Sequence, residues 1–188
     1  MQRNQANIKE EMMSRWTFIK AVNFVFLAAI LFSVPANGQE RGVIHATATV
    51  LPAIRITGLN DLRFETVVPG VDKSVDKASI GFAGAFEVIG HNSAEVSFDF
   101  ELPPALLLDS TGFMNVDFSS TDASYDDGSG GGQGTPAGVI DPNGPFTLRL
   151  GPTGRLDLWI GGTVHPTITQ TGGDYSSEVT LTAIYTGN

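Results

Sequence analysis

Residues 161–185, with the sequence GGTVHPTITQTGGDYSSEVTLTAIY, decide the fold that we predict for this chain. A turn at residues 170–174 contains Gly172 and Gly173, which can supply the positive φ that such turns commonly need. Beyond the turn, alternate residues form one largely apolar set, namely Val179, Leu181, Ala183 and Tyr185. Since alternate side chains point to the same sheet face, one face of this strand can be buried. The stretch therefore predicts a closing β-hairpin of a β-sandwich, and it offers no catalytic group.

The same period of two recurs along the chain and predicts about eight or nine short strands in all. Outside the closing hairpin, strands are predicted at residues 43–57, 62–67, 79–90, 94–102, 113–119, 146–150 and 156–160. Pro52 cannot donate a ladder hydrogen bond, so the first strand is expected to bend or change sheet there. The strands at residues 79–90 and 94–102 are predicted to form a hairpin. The polar residues 71–77 are expected to be a surface connection.

The composition favours one domain with many turns. A length of 188 residues allows one domain and a targeting segment, and 22 glycines and 10 prolines suit frequent turns. The chain has no cysteine, which excludes disulfides, lipid-modified cysteine, thiolate metal sites and cysteine nucleophiles. The fold must therefore be held together by its core alone.

The first 38 residues differ in character from the rest. Arg15 and Lys20 precede an uncharged apolar run at residues 21–34, and small residues at Ala36 and Gly38 suit a signal-peptidase site. As a helix the run would be about 21 Å long, which is short of the ~30 Å hydrocarbon core. We therefore predict a cleaved signal helix, and a retained membrane anchor is the alternative.

The predicted organisation is a signal peptide at residues 1–38 and a β-sandwich domain at residues 39–188. Met12 or Met13 is an alternative start of translation, because the residues before them add nothing that a signal peptide needs. We therefore predict that the protein is exported and is periplasmic, at the cell surface or extracellular.

The predicted mature chain is strongly acidic. From Gln39 onward it carries seven Lys and Arg against 18 Asp and Glu, a formal net charge of −11. Binding to phosphates needs clustered basic residues. We therefore expect no nucleic acid partner, and we expect membrane contact only through the signal segment before cleavage.

Two stretches together carry a family resemblance. The sequence ATATVLPAIRITGLNDLRFETVVPG at residues 46–70, combined with GGTV, QTGGDY and VTLTAIY near the end, resembles the DUF4402 family of exported bacterial proteins. The resemblance covers nearly the whole predicted mature chain. Glu65 is a departure, because the family's L-x-F segment is usually followed by glycine. The resemblance implies an immunoglobulin-like β-sandwich similar in style to spore-coat-U-like and fimbrial subunits, which are used in surface structures.

The three histidines, His45, His91 and His165, are scattered over two predicted strands and a turn. A zinc site formed by His45 and His165 would need the first and last strands to bring them together. No carboxylate has motif spacing with any of them, so we expect solvated or hydrogen-bonded histidines and no metal or cofactor.

The long polar segment at residues 120–144 contains four aspartates, namely Asp122, Asp126, Asp127 and Asp141. These offer hard oxygen ligands for calcium, but the EF-hand ladder and the nine-residue β-roll repeat are both missing. The segment also has few apolar groups to offset the cost of ordering it. We expect a solvated, mobile loop, and a calcium-bound loop is the alternative.

Catalytic motifs are missing from the sequence. The chain has no G-x-S-x-G, no H-E-x-x-H and no G-x-x-x-x-G-K. Glu87, Asp99 and Glu101 could form a carboxylate pair for glycoside hydrolysis if they approached each other in space. Their positions on polar strand faces favour solvation instead. We therefore predict that the protein is not an enzyme.

The function predicted is that of an exported structural or adhesive subunit. Residues 43–50 and 179–185 both alternate, and each could add to a sheet edge by β-augmentation. Residues 43–50 would be the donor, and residues 179–185 would be the edge available to a chaperone or to a neighbour, which is another copy or another surface subunit. The alternative is that both strands pair within their own domain.

A second predicted function is that of a monomeric periplasmic binding module for a carbohydrate or another small ligand. Trp159 and Tyr125 would be the contacts, because aromatic faces suit sugar binding. Trp159 alternates with Leu158 in its strand, so exposure and coverage of the second sheet face are both compatible with the pattern.

Overall fold

The computed structural model describes residues 40–109 and 112–187, and it contains twelve β-strands and no helix in these residues. The strands are β1 (Arg55–Asn60), β2 (Lys73–Val75), β3 (Gly84–Ile89), β4 (Glu95–Glu101), β5 (Ala105–Leu107), β6 (Phe113–Asp117), β7 (Ala123–Asp126), β8 (Gly138–Ile140), β9 (Phe146–Arg149), β10 (Arg155–Ile160), β11 (Gly162–His165) and β12 (Thr180–Tyr185). The predicted signal helix and the apolar run at residues 21–34 lie outside the described residues. In the part of the chain described, no helix could cross a membrane. The chain divides into the units Met1–Ala48 and Thr49–Asn188, and all twelve strands lie in the second.

The strands form three antiparallel sheets. The five-stranded sheet has the order β1-β3-β10-β7-β8, the four-stranded sheet β2-β11-β6-β5, and the three-stranded sheet β12-β4-β9. The predicted all-β class is confirmed. The count of strands is higher than predicted, because strands of three or four residues lie in segments with too little alternation to reveal them. These short strands are β2, β5, β7 and β8.

The main core lies between the five-stranded and three-stranded sheets. Its fully buried side chains include Val88 and Leu158 from one sheet and Phe98 from the other. Phe146 stacks on Phe98 with ring centroids 5.5 Å apart. Two layers that bury their facing side chains in this way form a β-sandwich.

A second core lies against the four-stranded sheet. It contains Met114, Val116 and Val164 together with Phe64, which lies outside any strand. The strand predicted at residues 62–67 is therefore wrong, although its central phenylalanine is buried as expected. Gly161 joins β10 to β11, and a Cβ at this position would collide with the carbonyl oxygen of Val75. Glycine is needed here because the chain passes from one sheet to another at close range.

The hairpin predicted for residues 79–90 and 94–102 is wrong. The strand begins only at Gly84, and β3 pairs with β1 and β10 while β4 pairs with β12 and β9. The turn between them carries the chain from one layer of the sandwich to the other. Both strands alternate because both bury one face in the main core, and such a pattern does not specify the neighbouring strand.

The closing hairpin predicted for residues 161–185 is also wrong. β11 pairs with β2 and β6 in the four-stranded sheet, whereas β12 pairs with β4 in the three-stranded sheet. The turn lies at residues 168–169, earlier than the predicted 170–174, and the segment that contains it connects strands of different sheets. The prediction identified both strands and misidentified their partners.

The strand predicted from residue 43 is wrong in its first half. Residues 40–53 have no regular secondary structure and are exposed, and β1 begins only after Pro52, at Arg55. Ile54 and Ile56 pack against the main core, as their alternation predicted. Proline at position 52 marks the boundary because it cannot take part in the ladder.

Candidate functional site

The outer edges of β1 and β12 form the most distinctive surface of the sandwich. Within the described residues, β1 pairs only with β3, and β12 pairs only with β4. One strand ends the five-stranded sheet and the other ends the three-stranded sheet, on the same side of the main core. We call the gap between these two edge strands the seam. Exposed strand edges carry unsatisfied backbone donors and acceptors that can pair with another strand.

Tyr185 closes one end of the seam. Its hydroxyl donates to the carbonyl oxygen of Pro52 over 3.0 Å and accepts a hydrogen bond from the amide of His91 over 2.8 Å. A Cβ at Gly90 would lie 2.5 Å from this hydroxyl, so the tyrosine fits against a glycine. The last residue of β12 is therefore tied to the chain just before β1.

The other end of the seam is open and contains a groove of about 480 Å³. Gly58 and Leu59 of β1 line one wall, and residues 177–180 line the other. Phe86 of β3, which pairs with β1, and Ile160 of β10, which pairs with β3, also line the groove. The groove therefore places half-buried apolar surface beneath two strand edges.

A second groove of about 440 Å³ lies elsewhere on the sandwich. Pro103, Pro104, Phe118 and Asn143 are among the residues that line it. Its only strand residues are Val116 and Asp117 of β6, which is paired on both sides. This groove does not border an edge strand.

Residues 43–50, which we call the donor segment, are exposed along their whole length. Ile44 is 93% exposed and Val50 is 91% exposed, the two highest values among the large apolar side chains of the described residues. Residues 41–60, which lie between Glu40 and Asp61, contain no acidic residue. The segment therefore combines strand alternation, exposed apolar side chains and a lack of negative charge.

Another exposed apolar surface lies at one end of the four-stranded sheet. Its members are more than half exposed, and they are Val68, Val71, Leu107, Phe113 and Ile168. Hydrogen bonds from the Gly70 amide to Thr167 and from the Gln170 side chain to Phe113 hold the contributing turns side by side. We call this surface the apolar rim.

Asp126 organises the acidic segment. Its Oδ1 accepts hydrogen bonds from the amides of Gly128 and Gly130, and its Oδ2 accepts one from the amide of Gly132. Burial opposes ionisation of this carboxyl, but the three amide hydrogen bonds outweigh it and lower the pKa of Asp126. Both carboxylate oxygens are therefore used to hold the loop.

The other three aspartates of this segment also bind their own turns. Asp122 accepts from the amide of Ser119, and Asp127 accepts from the amide and hydroxyl of Ser129. Hydrogen bonds from the backbone amide and side chain of Asn143 lower the pKa of Asp141. The expectation of a structureless loop is wrong, because the segment contains β7 and β8 and is ordered by these carboxylates. Its aspartates do not converge on a common point that would suit calcium.

The histidines lie in separate surroundings. His165 contacts two carboxylates, with Nδ1 3.0 Å from Asp72 and Nε2 3.2 Å from Asp117. These carboxylates lie on opposite sides of the ring, so they do not form a common ligand set. Among residues 40–109 and 112–187, no three His, Asp or Glu side chains could hold a metal ion together.

The aromatic residues predicted to contact a carbohydrate do not form a binding surface. Trp159 is only 8% exposed, so it cannot present its face to a sugar. Tyr125 packs against the main core, and the register places it beside Leu158 and places Trp159 beside Ser124. The two rings therefore point to opposite faces of the five-stranded sheet. Gln133, in the loop after β7, donates a hydrogen bond to the carbonyl oxygen of Lys77, in the segment after β2.

The carboxylates considered for glycoside hydrolysis lie on opposite sides of the sandwich. Glu87 points outward from the five-stranded sheet and forms an ion pair with Arg155 over 3.2 Å. Asp99 and Glu101 point outward from the three-stranded sheet. Hydrogen bonds to Asp157, together with its charge, raise the pKa of Arg155. The structure therefore does not bring Glu87 together with the other two carboxylates.

Sequence reasoning missed the groove and the hydroxyl of Tyr185, since both depend on which strands are neighbours. It also missed the role of Asp126, although the spacing of Gly128, Gly130 and Gly132 was a usable signal. Glycines two, four and six residues after an aspartate allow successive amides to turn towards one carboxylate.

Comparison with protein-family models finds no family that matches this chain, and comparison with curated proteins finds no match. The resemblance to the DUF4402 family stays a prediction.

Proposed function

We propose that this chain is an exported, non-catalytic structural or adhesive subunit that assembles outside the cell by strand addition. The observation that carries the proposal is the presence, in one chain, of an exposed donor segment and two sheet edges at an apolar groove. Strand addition gives affinity through main-chain hydrogen bonds and specificity through pockets for alternate side chains. The donor segment alternates, and the seam offers both the edge and the apolar surface.

The location follows from the sequence features of the first 38 residues and from the resemblance described above. An acidic surface suits solubility in the periplasm or outside the cell, and it disfavours nucleic acid as a partner. The partner that the proposal names is another copy of this chain or another surface subunit.

A second candidate is a periplasmic binding module for a carbohydrate or another small ligand. The volume of the seam groove favours it, because small-molecule sites commonly measure about 300–1,000 Å³. Leu59 and Phe86 would then be the apolar contacts, in place of the buried Trp159.

The test is to express the full chain in a bacterium, fractionate the cells and measure the mass of the exported product. We expect cleavage near Gly38 and concentration-dependent assemblies by size-exclusion chromatography and electron microscopy. Ala46→Pro should abolish the assemblies because proline removes a donor in the middle of the donor segment. Its thermal unfolding should match the original chain, since residue 46 is exposed and outside any strand. A product that stays monomeric at every concentration would contradict the proposal.

A further inference from the structure

We propose that the open seam is the acceptor site and that its occupant is the donor segment of a second copy of this chain. This inference rests on the proposed function and specifies the partner and the place of contact. The incoming strand adds along the outer edge of β12, and its alternate side chains cover Phe86 and Leu59, which line the groove and are still partly exposed.

The first argument is the shape of the seam. The hydroxyl of Tyr185 closes it at Pro52, so an added strand has room only towards the start of β12. There Gly58 is paired with Phe86, and a Cβ at Gly58 would meet no atom within 4 Å. The inner face of β1 therefore leaves space beside a half-buried phenylalanine ring.

The second argument is the fit of the donor segment. Its inward-facing set would be Ile44, Ala46, Ala48 and Val50. Small alanines lie at the centre and larger side chains lie at both ends. A strand with this pattern can approach the glycine-lined part of the seam closely while its ends cover apolar surface.

The third argument is charge. A contact between two copies with a formal charge of −11 each from Gln39 onward is opposed by repulsion. The donor segment lies in the stretch between Glu40 and Asp61 that has no acidic residue. It can therefore approach an acidic partner at lower electrostatic cost than a segment that carries acidic residues.

The edge strands β8 and β9, which end the same two sheets on their other side, differ from the seam in how the side chains beneath them pack. Phe146 of β9 fills the core there, with its ring centroid 5.5 Å from that of Phe98 and 5.8 Å from that of Phe100. Phe118 and Ile140 pack against the same core. The side chains beneath the edge strands β8 and β9 are therefore already packed against the main core.

Cross-linking in the full chain, purified after export, tests the contact directly, because the natural sequence has no cysteine. An Ala46→Cys variant is mixed with a Leu59→Cys variant and oxidised. We expect a disulfide-linked heterodimer, identified by its mass. Val139→Cys, on the edge strand β8, and Phe113→Cys, on the apolar rim, are matched acceptors of similar exposure. Neither should cross-link to Ala46→Cys.

A steric test supports the cross-linking. Gly58→Phe places a ring in the groove beside Phe86, and Thr57→Phe places the same ring on the outer face of β1. We expect Gly58→Phe to raise the concentration needed for half-assembly by at least about tenfold and Thr57→Phe to leave it unchanged. Both variants should keep the β-rich circular dichroism of the original chain.

The outcomes separate this inference from the proposed function. Assemblies that form and cross-link through Val139 or Phe113 would overturn the seam as acceptor and leave assembly standing. An intramolecular bond in an Ala46→Cys, Leu59→Cys double variant that stays monomeric would show that the segment fills the seam of its own chain. A groove that binds a small ligand, with no assembly at any concentration, would overturn both proposals.

Discussion

Asp126 shows how one side chain can order a segment that has few apolar residues. We expect Asp126→Asn to lower the free energy of unfolding by about 1–3 kcal/mol. The carboxylate accepts from Gly128, Gly130 and Gly132, and an amide would turn one acceptor into a donor that faces another donor. Urea unfolding measures the change. Asp174→Asn, at an exposed position outside any strand, is the control, and equal losses in the two variants would contradict this role.

Glu65 occupies a backbone conformation that favours glycine. Its φ is 55°, in the left-handed region, which costs a residue with a Cβ about 1–2 kcal/mol. Glu65→Gly removes this cost. Glycine has more conformational freedom in the unfolded chain, and this offsets about 0.5–1 kcal/mol of the stabilisation. We expect a net gain in stability of about 0.5–1 kcal/mol by thermal unfolding. Glu65→Ala keeps a Cβ and should show no such gain; a gain as large as that of glycine would refute the backbone explanation.

The conformation or burial of a single residue could be predicted where it depends only on residues nearby in the sequence. The predicted family resemblance implied a glycine where this chain has Glu65, and the structure places that residue at positive φ. The burial of Trp159, which is 8% exposed, was not predictable from alternation, because the pattern is compatible with both an exposed and a covered outer sheet face. No period-two pattern reports which loop covers a sheet face.

Among the elements, β12 depends on its last residue for its link to β1. Tyr185→Phe removes the hydrogen bonds to His91 and Pro52, and we expect a loss of about 1–2 kcal/mol in the free energy of unfolding. Denaturant unfolding gives the magnitude. Gly90→Ala tests the contact further, since its new Cβ would crowd the Tyr185 hydroxyl. The cost of Gly90→Ala should be smaller in the Tyr185→Phe chain, and strictly additive costs would argue against the contact.

The presence of several strands was predictable from alternation, but their pairing was not. β4, β6, β9, β10 and β12 lie where the sequence predicted strands. Alternation records which face of a strand is buried, and the same face can be buried against many neighbours. Both predicted hairpins failed for this reason: β3 and β4 face each other across the core, and β11 and β12 belong to different sheets.

For the whole molecule, we expect stability to fall in acid. The pKa values of Asp126 and Asp141 are lowered below their ordinary value of 3.8 in the folded chain. As the pH falls, these two carboxyl groups therefore take up protons in the unfolded chain before they do so in the folded chain. Their contribution to stability is complete above the ordinary pKa and is lost as the pH falls below it. Thermal unfolding from about pH 7 to about pH 3 should show the loss. The difference in the free energy of unfolding between the original chain and Asp126→Asn should decrease below the ordinary pKa. A difference that stays constant with pH would contradict the assignment of this effect to Asp126.

The candidate site is a property of the whole molecule, and only half of it was predictable. Alternation predicted strands at residues 43–50 and 179–185; the second is present as β12, and the donor role of the first stays a prediction. The groove needs the five-stranded and three-stranded sheets to end on the same side, which depends on pairings between distant residues. A sequence pattern of short range does not contain that information.

The pairing of β4 with β12 also sets the order in which the fold can be completed. Asp99 and Thr182 are neighbours in this ladder and are 83 residues apart in the chain. Contacts of such long range form slowly, because a long loop must close first. During synthesis from the N-terminus, Val96, Phe98 and Phe100 on β4 cannot be covered by Leu181 until the chain beyond Tyr185 has been made. The nascent domain must therefore spend most of its synthesis with its main core open, when binding by a chaperone would protect it most.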